Sequence, residues 1–226
     1  MAVLPKRRIL AVMLLSLAPW PAVWLGMYRF SSIFITFFLY HGLCLFPAVV
    51  WGRKLWSGHW QRPTPRDWLL IMLGCILGAI IAVAAYKMTG NLIISKVDFL
   101  QSLSKRGFDR PIMVPLAIYF VVINATLEEL FWRGVIYNEL RPLSETYKVM
   151  GMVWSSAAFA TWHYLVLRLL LQPPFAEITV IALVIFGLIM AWLYDKTKSI
   201  VLPILWHGLV CDFALVVLLA YILQTS

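Results

Sequence analysis

The sequence predicts an all-α protein, a polytopic transmembrane helical bundle of about seven spans (six to eight) forming one integral-membrane domain over residues 1–226. Three observations predict this. Of 226 residues, 62% are hydrophobic and only 13% charged, and the mean hydropathy is +0.86; no soluble domain needs so much apolar surface. The apolar residues come in runs of about 20, the length of a helix that crosses hydrocarbon. The runs are also continuous, whereas a membrane barrel shows alternation of period two.

The spans fall at about 9–28, 31–52, 68–88, 112–132, 152–171, 178–195 and 200–223. The net charge is +9. With the N-terminus cytoplasmic, twelve Lys and Arg lie in inner segments and six in outer ones, with Arg168 near an outer helix end. The positive-inside rule therefore favours an N-terminus inside and a C-terminus outside. Orientation accounts for the basic loops, so no nucleic-acid partner is called for.

Lys6-Arg7-Arg8 before an apolar run imitates a signal peptide. The run continues through Trp24 and Met27, and the bulky Ala18-Pro-Trp-Pro-Ala22 suits a cleavage site poorly, so a retained first helix is expected. Span two is aromatic and holds His41, read as a packed, hydrogen-bonded histidine. The connector of residues 53–67 is basic and carries Pro63, Pro65 and His59, the last read as solvated. Span three has Gly74 and Gly78, small residues that let helices approach. Residues 89–111 mix Leu92, Ile93, Val97, Leu100 and Leu103 with Lys96, Lys105 and Arg106, the pattern of an amphipathic interfacial helix. Residues 138–150 read as an inner loop, Gln172 to Phe175 as an outer turn, and Asp195 to Ser199 as a short inner connector. The three cysteines, Cys44, Cys75 and Cys211, lie inside spans and form no disulfide framework.

Span four ends in Asn124-Ala-Thr-Leu-Glu128-Glu129-Leu-Phe-Trp-Arg133-Gly134. A charge in the bilayer core costs about 3 kcal/mol or more, so intramembrane carboxylates are kept when they pair, line a wet cavity or do chemistry. Glu129 and Arg133 are four residues apart, the favourable order for a helical pair. Glu128 points about 100° away and is left without that partner. Span five brings Phe159-Ala-Thr-Trp-His163, and span seven brings His207, Cys211 and Asp212. Counted from the inner helix ends, Glu128 lies about 6 Å deep, His207 about 10 Å and His163 about 16 Å, close enough to share a level.

A desolvated carboxylate beside an imidazole can take a proton from water, and a second imidazole can donate to the oxyanion of a tetrahedral intermediate. These are the parts of a peptide hydrolase without a covalent nucleophile. Glu128, His163 and His207 are equally a zinc ligand set with water in the open position, and Cys211, one turn from His207, offers a thiolate. Asp212 is read either as the partner of a basic residue or as lining a polar crevice.

Glu128-Glu129-Leu-Phe-Trp-Arg133, then Phe159-Ala-Thr-Trp-His163, then His207 resembles the motif order of the CPBP intramembrane proteases (CAAX protease and bacteriocin-processing, or Abi, family) over about residues 112–215. The resemblance implies a bundle with a conical cavity opening to the cytosol and a metal-free, glutamate-type endopeptidase of the prokaryotic inner membrane. In it Glu128 and His163 activate water, His207 stabilises the oxyanion, and Glu129 with Arg133 braces the site; Asn124, Phe159, Cys211 and Asp212 support it. The substrate implied is a membrane-anchored or hydrophobic peptide, and no cofactor is needed. One departure stands out: the family's last motif has Asn or Asp four residues after the histidine, and here that residue is Cys211, followed by Asp212. Either Asp212 takes over from one step round the helix, or the oxyanion contact rests on His207 alone. Two other classes compete, a non-enzymatic immunity or regulatory protein keeping the fold and a small proton-coupled transporter.

Overall fold

The computed structural model describes residues 6–108, 110–141 and 145–224, and the regular structure among them is helical. Eight helices of nine residues or more carry these described residues: α1 (Arg8–Arg29), α2 (Ile33–Trp51), α3 (Pro65–Thr89), α4 (Lys96–Ser104), α5 (Met113–Leu140), α6 (Glu145–Leu170), α7 (Phe175–Thr197) and α8 (Val201–Gln224). Six of them, all but α4 and α6, are long and apolar enough to cross a membrane, and the protein is an integral membrane protein. The fifth expected span is α6, which has 26 residues but carries Glu145, Lys148, His163 and Arg168. It lies along α7, where Gly187 sits so close to Ser156 that a Cβ on the glycine would fall 2.9 Å from the serine Cβ.

The chain ends its spans alternately at two faces of the bundle. At one face Arg8 pairs with Glu139 at 2.7 Å, the Ile200 amide donates to the His59 carbonyl, and Lys148 reaches Asp195. At the other, the Ile33 amide donates to Arg106, the Gln172 amide to Ile93, and the Tyr28 hydroxyl to Leu165. The first face gathers the connectors read as inner, the second those read as outer. Helix α1 is built into the bundle, with Val12, Ser16 and Val23 buried.

Two expectations change. The inner loop at 138–150 is largely helix: Asn138–Leu140 is the last turn of α5, and α6 starts at Glu145, with Pro142 outside the described residues. Polar residues end the apolar run there without ending the helix, because tertiary partners satisfy them. Asn138 Nδ2 reaches the Leu55 and Gly134 carbonyls at 3.0 and 3.1 Å and the Tyr194 hydroxyl at 2.6 Å. His59 is only half-buried yet not simply solvated; its ring meets the Tyr194 hydroxyl, and burial together with the cations Arg141 and Lys198 lowers its pKa. The amphipathic segment forms α4, whose Phe99 packs with Ile94 and Ile222 while Val97 stays exposed.

Helices α1, α2, α5 and α8 contain π turns, at Leu25–Arg29, Phe38–Leu45, Tyr119–Asn124, Leu130–Tyr137 and Trp206–Asp212. Such turns bond residue i to i+5 instead of i+4 and re-aim the side chains around them, often at functional sites.

Candidate active site

Six of the residues singled out from the sequence meet in one buried cluster between α5 and α8: Asn124, Glu128, Glu129, Arg133, His207 and Asp212, none more than 6% exposed. The spacing-predicted pair is present, with Arg133 Nη1 donating to Glu129 Oε1 at 2.8 Å. Arg133 also donates to the Gly187 carbonyl at 2.9 Å and lies over the Phe159 ring at 5.1 Å. Its charge is thus fully enclosed and held by α5, α6 and α7 together. Its Nε is buried without a hydrogen-bond partner among the described residues, so the enclosed charge rests on the Glu129 and Gly187 contacts and the Phe159 ring.

His207 stands at the centre. Its Nδ1 meets Glu129 Oε1 at 2.9 Å, while Nε2 faces Glu128 Oε2 and Asp212 Oδ1, each at 3.6 Å. Those two separations are too long for hydrogen bonds and lie within ion-pair reach of the ring. Glu128 is divided: Oε1 accepts from the Tyr40 hydroxyl at 2.8 Å, and Oε2 is buried without a hydrogen bond. Three carboxyl groups thus share one guanidinium and one imidazole. If the imidazole is doubly protonated, the five groups together still carry one negative charge too many for neutrality.

Gly208 makes this approach of helices possible. A Cβ there would lie 2.1 Å from the Val121 carbonyl oxygen, so only glycine lets α8 come this close to the Tyr119–Asn124 turn of α5.

His163 lies beside the cluster rather than inside it. Its Nδ1 donates to the Phe159 carbonyl at 2.7 Å, its only hydrogen bond among the described residues, so Nε2 carries the free lone pair. Its ring stacks on Trp162 at 3.8 Å, and Trp162 packs on Tyr40, the residue that holds Glu128. The Phe159 ring lies 4.8 Å from the ring of His163 and 5.8 Å from that of His207. Cys211 is half-buried, is a free cysteine and makes no hydrogen bond among the described residues.

The depth expected for Glu128 is corrected. Because α5 runs to Leu140, the acid lies twelve residues from the inner end, about 18 Å along the axis rather than 6 Å. Among the described residues no group of three or more His, Cys, Asp or Glu is placed as a metal site. A groove of about 530 Å³ lies between α1 and α2, lined by Leu15, Pro21, Leu43, Cys44 and Trp51 among others, and no residue of the cluster lines it.

Sequence reasoning missed three members of the network. Tyr40 holds Glu128, Tyr119 meets His41 Nδ1 at 2.8 Å, and His41 Nε2 meets Asn124 Oδ1 at 3.0 Å. His41 was expected to be packed and hydrogen-bonded, and it is, but its partner is a residue of the cluster. The only signal available was a histidine between aromatics in a span, which does not reveal its partner.

Fold and site together define a class: an integral membrane protein whose long helices enclose an acid–histidine cluster. Residues 110–211 match the family model described as Rce1-like, type II CAAX prenyl endopeptidase Rce1-like. The match takes in Glu128 to Arg133, Phe159 to His163 and His207, and the family is the one the three motifs resemble. Neither the curated proteins nor the solved structures yield a match.

Proposed function

We propose that the protein is an intramembrane endopeptidase that cleaves a membrane-anchored or hydrophobic peptide by glutamate-activated water, without a metal or other cofactor. One observation carries the reading: the buried, hydrogen-bond-free Oε2 of Glu128 facing His207 Nε2 at 3.6 Å. A water between Glu128 Oε2 and His163 Nε2 gives its proton to the carboxylate and attacks the scissile carbonyl carbon. The oxyanion that forms accepts a hydrogen bond from His207 Nε2–H. Since Nδ1 of that ring already serves Glu129, the role requires the doubly protonated imidazole. Collapse of the intermediate returns the proton from Glu128 to the leaving amine and breaks the C–N bond. Tyr40 keeps Oε1 occupied so that Oε2 is the working oxygen, and Glu129 with Arg133 braces His207.

The family description supports a C-terminal prenylated tail as one substrate class; the compact chain equally suits an unprenylated membrane-anchored precursor of a prokaryotic inner membrane, with the N-terminus cytoplasmic. The test is purification in detergent, metal analysis, incubation with prenylated and unprenylated membrane-anchored peptides, and mass analysis of the products. Cleavage is expected to persist after chelation and to vanish in Glu128→Gln and in His163→Ala, both still inserted and folded. Wild-type-like cleavage by Glu128→Gln sinks the proposal. A biological activity that survives loss of both residues marks a non-enzymatic immunity or regulatory protein instead.

A further inference from the structure

The network beyond His207 assigns a role to residues outside the three motifs. On a regular helix, turning about 100° per residue, Cys211 lies nearly above His207 and Asp212 lies about 140° round from it. The π turn Trp206–Asp212 changes this register: the Phe213 amide bonds the Gly208 carbonyl, and residue five rather than residue four completes the turn. Asp212 Oδ1 therefore faces His207 Nε2 at 3.6 Å, while Cys211 makes no hydrogen bond among the described residues. The other oxygen, Oδ2, accepts from Asn124 Nδ2 at 3.2 Å. With Nδ2 of Asn124 donating, its Oδ1 must accept, so His41 Nε2–H donates to it, and His41 Nδ1 then accepts from the Tyr119 hydroxyl. Each hydrogen-bonding group in this line has one consistent direction, running from α2 and α5 to α8.

We propose that Asp212, turned inward by the π turn, positions His207 for the reaction from the Nε2 side, as Glu129 does from the Nδ1 side, and that Tyr119, His41 and Asn124 are positioning residues that hold Asp212 in place. The proposal rests on the hydrolase reading above for its catalytic meaning, and its structural part is measured without turnover.

The test uses full-length protein in detergent, labelled with 15N-histidine. The four histidines are assigned by single His→Gln substitutions. Asp212→Ala is expected to move the ring signals of both His207 and His41, and Cys211→Ala to move neither. In peptide cleavage, Asp212→Ala is expected to lower kcat about 10–100-fold, the scale of losing a residue that orients a functional histidine, with KM unchanged. Asp212→Asn, which keeps the acceptor for Asn124, restores most of the rate. Tyr119→Phe lowers kcat about 2–10-fold, as removal of one net hydrogen bond does. His41→Gln, able to donate and accept, retains more activity than His41→Ala. Ring signals that respond to Cys211→Ala and ignore Asp212→Ala overturn the proposal, as does a KM effect without a kcat effect. If the signals respond as expected but wild-type protein cuts no peptide, the hydrolase reading falls while the held position of Asp212 stands.

Discussion

The molecule contains two clusters of charge, and they solve the problem of burial differently. At the inner face Asp195 is surrounded by Lys198 at 2.7 Å, Lys148 at 3.0 Å and Arg141 at 3.8 Å. Cations outnumber the acid, and their side chains are 26% to 48% exposed, so water shares the work. Between α5 and α8 the balance is reversed: Glu128, Glu129 and Asp212 share Arg133 and His207, all of them buried. Two carboxylate oxygens there, Glu128 Oε2 and Glu129 Oε2, are buried without a hydrogen bond among the described residues. A solvated, over-compensated acid is an anchor for loops. An enclosed, under-compensated one is expensive, and a fold that keeps it does so for what the unpaired group can do.

This contrast can be attacked at four points, in falling order of effect. The largest effect is on turnover: Glu128→Gln keeps size and the contact to Tyr40 but cannot take a proton, so kcat is expected to fall by about 10³-fold or more, measured by peptide cleavage, while thermal unfolding changes little. Next comes Arg133→Ala, which strands Glu129 and is expected to cost about 3–5 kcal/mol in reversible unfolding from detergent. A cost below about 1 kcal/mol would show that the pair is not enclosed as described. Third, Gly208→Ala drives a Cβ into the Val121 carbonyl, so separation of α5 from α8 is expected to cost about 1–3 kcal/mol and to lower activity. The smallest is Asp195→Asn, expected to change stability by about 1 kcal/mol or less, with the difference shrinking in high salt and cleavage unaffected. An Asp195→Asn protein as inactive as Glu128→Gln would erase the distinction between the two clusters.

Much of the site was legible beforehand because it is local. The i, i+4 spacing of Glu129 and Arg133 implies their pair on any helix, and an unpaired Glu128 follows from the same geometry. His207 is harder to read, since its three acidic partners come from two helices. A regular-helix reading puts Cys211 over His207 and leaves open whether Asp212 takes over; the π turn brings Asp212 Oδ1 to 3.6 Å from His207 Nε2. The sequence pairs His163 with Glu128 through a water; the Phe159 carbonyl, four residues earlier on the same helix, takes the His163 Nδ1 and leaves Nε2 free.

Hydropathy and spacing alone determined the number and approximate limits of the helices, the two-faced arrangement of the connectors, and the presence of acids that need a reason to be in oil. These are one-dimensional properties, because transfer of a helix into hydrocarbon depends mainly on its own residues. Only the tertiary structure decided that α5 continues to Leu140, that five π turns interrupt the spans among the described residues, and that Tyr119, His41 and Asn124 lead to Asp212. A π turn and a hydrogen bond between helices are stabilised by neighbours distant in sequence, as Gly208 against Val121 shows, and no local pattern of residues encodes them.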